Sequence, residues 1–152
     1  MSADELLLNN DLLFDNIVQL LSDGLSVTLR AKGNSMYPFI RGGRDSVVLN
    51  RSVRARVGDI VLVRIPSSGY VLHRIRRIDG DRLLLMGDGN LRATERCRQD
   101  EVLAVAVKII RNGRCVDCFS MRERCLAAAW RVLLPVRRYL LFVCRRLPGN
   151  KV

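Results

Sequence analysis

A serine inside Gly33-Asn34-Ser35-Met36-Tyr37-Pro38 and a single histidine, His73, are the two groups of this chain whose chemistry fits together most readily. A serine hydroxyl is a weak nucleophile near neutral pH until a neighbouring base takes its proton, and an imidazole can be that base. Gly33 allows unusual backbone dihedrals, while Pro38 fixes its own φ and disfavours helix at Tyr37, so Ser35 is expected on a sharp, exposed turn. His73 lies in Tyr70-Val71-Leu72-His73-Arg74-Ile75, where strand alternation puts Val71, His73 and Ile75 on one face. Both residues also have ordinary readings, Ser35 as a turn residue and His73 as a hydrogen-bonded core histidine.

The elements that must position these groups follow from periodicity. Ser2 with Glu5 three residues on is a capping-box pattern, opening a helix that runs to about Ser22 and stops at Gly24. Short β-branched or leucine-rich runs follow at Ser26 to Ala31, Ser46 to Leu49, Asp59 to Ile65, Tyr70 to Ile78, Arg82 to Met86 and Val102 to Ile110. Asp79-Gly80 and Asn112-Gly113 mark tight hairpins, and the strand spacing favours a small barrel or sandwich. Beyond Cys118 the pattern is helical, with Arg124, Arg131, Arg138 and Arg145 recurring every seven residues beside a broad apolar surface from Leu126 to Val143 and a kink expected at Pro135. The expected organisation is an N-terminal helix over 1–24, a mainly β domain over 25–118 and a basic amphipathic helical tail over 119–152.

Composition narrows the partners. The 152 residues, 49% hydrophobic, suffice for one domain with a core, and the net charge of +11, from 26 basic and 15 acidic residues, implies affinity for an anionic surface. Aromatic residues make up only 5% of the chain, which leaves few stacking platforms and ranks nucleic acid below a peptide as partner. Five cysteines, an odd number with no secretory signal before them, suit a reducing compartment. Asn9, Asn10, Asp11, Asp15 and Asn16 interrupt the first apolar stretch, so it is not a spanning segment. In the tail, Arg131, Arg137 and Arg138 would each cost roughly 2.5 to 3.5 kcal/mol near a bilayer centre. Two placements remain open for that helix, lying among the headgroups of an acidic membrane or packing on the domain. Cys115-x-x-Cys118 lacks a second close pair, so no metal is expected, and Gly42-Gly43 reads as a loop.

Four motifs occur in order: Gly33-x-Ser35-Met36-x-Pro38, Val57-Gly58-Asp59-Ile60-Val61, His73-Arg74-Ile75 and Gly87-Asp88-Gly89-Asn90. Over Ser26 to Ile110 the chain resembles the signal-peptidase and LexA-like serine peptidase superfamily. The resemblance implies a small, mainly β catalytic domain and a serine nucleophile with a lysine or histidine base. His73 fills the base position, and neither Lys32 nor Lys108 matches the family lysine, which points to the histidine type. It further implies Ser35 as nucleophile and His73 as general base. Asp88 is the best match for the acid that orients the imidazole, with Glu95 in reserve. The Ser35 N–H would serve the oxyanion, supported by Gly33 and Asn34, while Met36 and Pro38 shape the turn. Gly33 stands where many signal peptidases carry a hydroxyl residue, and the Gly-x-Ser-Met form is closer to the LexA-like branch.

The expected function is therefore a serine endopeptidase that needs no cofactor and cleaves a leader from a peptide or protein. With neither a spanning N-terminal anchor nor an export signal in the sequence, it is expected in the cytoplasm, peripheral on the inner membrane face. The alternatives are a non-catalytic peptide-binding module or a basic, nucleic-acid-binding β-barrel. The roughly 25 residues before the first strand are too few for a helix-turn-helix domain, which disfavours a self-cleaving repressor.

Overall fold

The computed structural model describes residues 3–51 and 54–147, with side chains in the first helix described from Leu12 onward. The chain begins with helix α1 (Ala3–Ser22) and continues through strands β1 (Val27–Arg30), β2 (Ser46–Asn50), β3 (Ile60–Ile65) and β4 (Gly69–Asp79). Then come β5 (Arg82–Met86), β6 (Glu95–Arg98), β7 (Val102–Arg111) and β8 (Arg114–Asp117), followed by helices α2 (Met121–Val132) and α3 (Arg137–Arg146). The architecture is mainly β with terminal helices, as expected. The capping box assigned to Ser2 lies outside the described residues, but the stop at Gly24 is present, with φ +81°.

The strands form one antiparallel sheet in the order β1-β2-β7-β3-β4-β5-β6, with β8 paired to β7. Among the described residues β1 and β6 do not pair, so the sheet is curled and open rather than a closed barrel. Irregularities at Val48/Leu49, Leu62/Val63 and Ile75/Arg77 each break the ladder locally, which bends and twists a sheet. Both expected hairpins form. Asn112 and Gly113 both take positive φ, as a two-residue turn between twisted strands requires, and β8 beyond them is a strand that the periodicity did not reveal.

Alternation divides the core in two. Ile60 and Leu62 of β3, with Ala104 and Ala106 of β7, pack into a first cluster together with Ile17 and Leu21 of α1. Val61, Val63 and Val105, the intervening residues, pack into a second cluster with Ile75, Leu83, Leu85 and Cys97. Because β3 and β7 are buried on both faces, they read as continuous apolar runs rather than alternating ones. Ile17 and Leu21, four residues apart, are 4% and 1% exposed, and Phe14 stacks on Tyr70 at 4.2 Å, which seats α1 on the sheet.

Leu85 is fully buried in the second cluster, so Leu85→Ala should lower unfolding stability by about 2–5 kcal/mol, whereas Leu25→Ala, at a side chain 53% exposed, should change it by under about 0.5 kcal/mol. Urea denaturation of the two variants checks the contrast.

Candidate active site

Ser35 sits on a compact turn between β1 and β2. The Tyr37 N–H donates to the Asn34 carbonyl at 3.1 Å and the Ile40 N–H to the Met36 carbonyl at 3.0 Å, while Met36 and Ile40 are buried in the first cluster and anchor the turn. Ser35 itself is half-buried rather than fully exposed, Asn34 is exposed and Pro38 is half-buried after a cis Tyr37–Pro38 bond. Gly33 has φ +70°, the left-handed region that glycine enters without penalty. Gly42, expected only to be a loop residue, packs on it: a Cβ there would lie 2.1 Å from the Gly33 carbonyl oxygen.

The loop leaving β5 supports the turn from the other side. The Gly89 N–H donates to the Ser35 carbonyl at 2.8 Å. A Cβ on Gly87 would lie 2.3 Å from that same oxygen, and one on Gly89 would lie 2.6 Å from the Asn34 carbonyl oxygen. The glycines of Gly87-Asp88-Gly89-Asn90 thus let two backbones meet where side chains would hold them apart. Met86 pairs with Arg74 of β4, so Gly87 leaves the sheet beside His73, and the Ser35 turn rests on that exit. Among the described residues the Ser35 N–H has no acceptor, leaving it available to an oxyanion.

His73 is 5% exposed, and its Nδ1 lies 2.7 Å from Oε2 of Glu95. The carboxylate on the imidazole is therefore Glu95, the reserve candidate, and not Asp88. Strand register explains the encounter: Leu85 pairs with Ile75 on one side and Glu95 on the other, which sets Glu95 on the face carrying His73 and Ile75. The signal in the sequence was Glu95-Arg96-Cys97-Arg98, a short alternating run whose inward residue Cys97 joins the second cluster. No hydrogen bond joins Ser35 to His73 among the described residues; such bonds are often long before substrate binds and tighten in the complex.

Asp88 instead grips Arg74. The guanidinium donates from Nε to both carboxylate oxygens at 2.9 and 3.1 Å and from Nη2 at 2.7 Å, with both side chains almost fully buried. Arg74 also donates from Nη1 to the Gly58 carbonyl at 2.7 Å and lies over the Phe39 ring at 4.9 Å. Burial works against the charged guanidinium, but the charge and hydrogen bonds of Asp88 outweigh it and raise the Arg74 pKa above its ordinary value. The Gly58-Asp59 motif has its own reason. Gly58 takes φ +94°, its N–H donates to the Ile75 carbonyl, and the Asp59 carbonyl accepts the Ile75 N–H. The Asp59 side chain accepts the Arg56 N–H at 2.9 Å, and burial pushes its carboxyl above the usual carboxylate range.

The tail docks on this same loop. The expected kink is a break: α2 ends at Val132, a single 3-10 turn spans Leu134–Val136, and α3 starts at Arg137. Trp130 Nε1 donates to the Asp88 carbonyl at 2.9 Å. Arg137, 2% exposed, donates to the carbonyls of Asn90 at 3.1 Å and Trp130 at 2.9 Å, and burial lowers its pKa. Phe39 meets Trp130 edge-on at 6.0 Å, which closes a loop of contacts through Arg74 and Asp88. Nothing in the sequence assigns either tail residue to the site, since a tryptophan and an arginine on an amphipathic helix carry no mark of their partners. Burial raises the Cys118 thiol to about 12 and Cys97 to about 11, and among the described residues no group of three His, Cys, Asp or Glu side chains could hold a metal ion.

The family model described as Peptidase S24-like matches residues 9–110, from α1 through β7. The chain belongs to the Peptidase S24-like family. No curated protein and no solved structure matches it. The match contains all four motifs and both carboxylates in question, and membership in the Peptidase S24-like family makes serine peptidase chemistry the frame for the site. It ends before α2, so the docking of Trp130 and Arg137 on the Gly87–Asn90 loop lies beyond the segment that defines the family.

Removing one member of the buried Arg74–Asp88 pair strands the other's charge. Arg74→Met or Asp88→Leu alone should each cost about 3–5 kcal/mol, and the double variant clearly less than their sum. A double-mutant cycle in urea measures the coupling, and additive losses would show that the pair does not act as one unit.

Proposed function

We propose that the protein is a serine endopeptidase of the histidine-base type, in which Ser35 is the nucleophile, His73 the general base and Glu95 the group that orients the imidazole. The observation that carries this reading is the 2.7 Å contact between His73 Nδ1 and Glu95. With Nδ1–H donating to Glu95, the lone pair of Nε2 is the basic site, and the carboxylate stabilises the imidazolium that forms as the proton arrives. Ser35 Oγ loses its proton to Nε2 and attacks the peptide carbonyl, while the oxyanion takes a hydrogen bond from the Ser35 N–H. The imidazolium returns the proton to the leaving amine. Water, deprotonated by Nε2, then releases the acyl group and restores Ser35. No step calls for a cofactor.

The substrate we propose is a leader or signal-like segment of a peptide or protein, cleaved in the cytoplasm near the inner membrane face. The cysteines among the described residues are all free thiols, which suits a reducing compartment.

Comparing peptides from cells that carry the native chain, Ser35→Ala, His73→Ala or Glu95→Gln tests the reading. Defined products should vanish with Ser35→Ala and His73→Ala, and their rate of formation should fall by about 10²–10⁴-fold with Glu95→Gln. Identical peptide profiles in all four would make the protein a peptide-binding module instead. Salt-sensitive nucleic-acid binding that accompanies those identical profiles would favour the basic β module.

A further inference from the structure

Helix α3 has two faces of different kinds. Arg137 and Leu141, 2% and 4% exposed, turn inward onto the domain. The opposite arc carries Arg138, Tyr139, Phe142, Val143 and Arg146, with the three apolar side chains 57%, 56% and 55% exposed. Val132 and Val136 before the helix and Leu147 after it extend the exposed apolar surface. A helix resting on a soluble domain ordinarily shows water a polar face of mixed charge. Here the outer face holds only arginines and large apolar residues, and no Asp or Glu follows Glu123 in the sequence.

We propose that this face is a docking surface for a bilayer containing acidic lipids, with α3 lying in the plane of the headgroups. Arg138 lies over the Tyr139 ring at 4.5 Å and Arg146 over the Phe142 ring at 4.1 Å, so the outer face joins cations directly to large apolar rings, the two components an interfacial helix combines. Arg138, Arg145 and Arg146 also border a cleft of about 380 Å³ whose remaining wall includes Leu91, Leu141 and Phe142. Guanidiniums around an apolar floor match a phosphate headgroup with its acyl chain below. A nucleic acid would satisfy the arginines and leave Val143, Val136 and Leu147 in water. A second copy of the chain would set arginine against arginine across a two-fold axis, where like charges repel.

Docking of this kind would act at a defined place. The cleft includes Gly89, whose N–H holds the Ser35 carbonyl, and Arg137 fixes α3 to Asn90 one residue further on. The nucleophile turn would therefore face the bilayer surface, although the docking itself does not depend on catalysis.

Sedimentation of the full chain with vesicles of phosphatidylcholine, alone or mixed with phosphatidylglycerol, tests the surface. The native protein should sediment with the mixed vesicles and weakly or not at all with the neutral ones. Arg138→Gln/Arg145→Gln/Arg146→Gln should weaken binding by roughly 100-fold, at about a factor of five per arginine. Phe142→Ser/Val143→Ser should weaken it at least tenfold while leaving the circular dichroism spectrum unchanged, because both side chains are exposed. Equal binding of the native chain and both variants would overturn the proposal. So would equal binding to neutral vesicles, salt-sensitive binding to duplex DNA that survives Phe142→Ser/Val143→Ser in the absence of vesicle binding, or a dimer that the same substitutions dissociate.

Discussion

The guanidinium of Arg74, carried on β4, touches three other parts of the chain at once: the Gly58 carbonyl, the Asp88 carboxylate and the ring of Phe39 just beyond the Ser35 turn. A buried charge of this kind is tolerated only when its donors are matched, and Asp88 and the Gly58 carbonyl match them. The pair holds the Gly87–Asn90 loop against β4. That loop in turn holds the Ser35 turn through the Gly89 N–H, and its glycines leave room for the approach. Ser35 and His73 thus come to the same end of the sheet through an ion pair in which neither takes part.

This arrangement gives two acids separate duties. Asp88, saturated by Arg74, is structural, and Glu95 is left to meet the imidazole. The tail adds a third support, with Trp130 and Arg137 satisfying carbonyls on either side of Gly89. An arginine only 2% exposed, donating to two carbonyls and the Met86 sulfur with no carboxylate among those acceptors, is costly to bury, and that cost goes into bracing the loop. The tail helix consequently joins the site on its inner face while its outer face remains apolar and cationic.

Much of this was legible in the sequence. Six of the strand runs, both hairpin turns and the end of α1 follow from local periodicity and turn chemistry, which act over a few residues, and Pro135 marks the place where the tail helix is interrupted, though as a break and not the expected kink. What escaped depends on tertiary register. β6 and β8 are four residues each, so any alternation in them spans only two periods and does not stand out, and without β6 the position of Glu95 could not be fixed. Asp88 sits in a motif that suggests a catalytic acid, yet Arg74, adjacent to His73 in sequence, points to the other side of β4 and captures it there. Gly42 looked like any loop glycine, since only the folded chain shows the Gly33 carbonyl against it. The amphipathic pattern of the tail identified a helix with two faces but not which carbonyls its buried arginine would find.

The single histidine makes the assignment of the base directly observable, because every imidazole signal in the protein comes from His73. Long-range ¹H–¹⁵N correlation distinguishes which ring nitrogen carries the proton in the neutral form. If Glu95 orients the base for Ser35, neutral His73 carries its proton on Nδ1 and leaves Nε2 bare, and Glu95→Ala removes that preference. A proton on Nε2 in the native protein, or an Nδ1–H that persists undisturbed in Glu95→Ala, would contradict it.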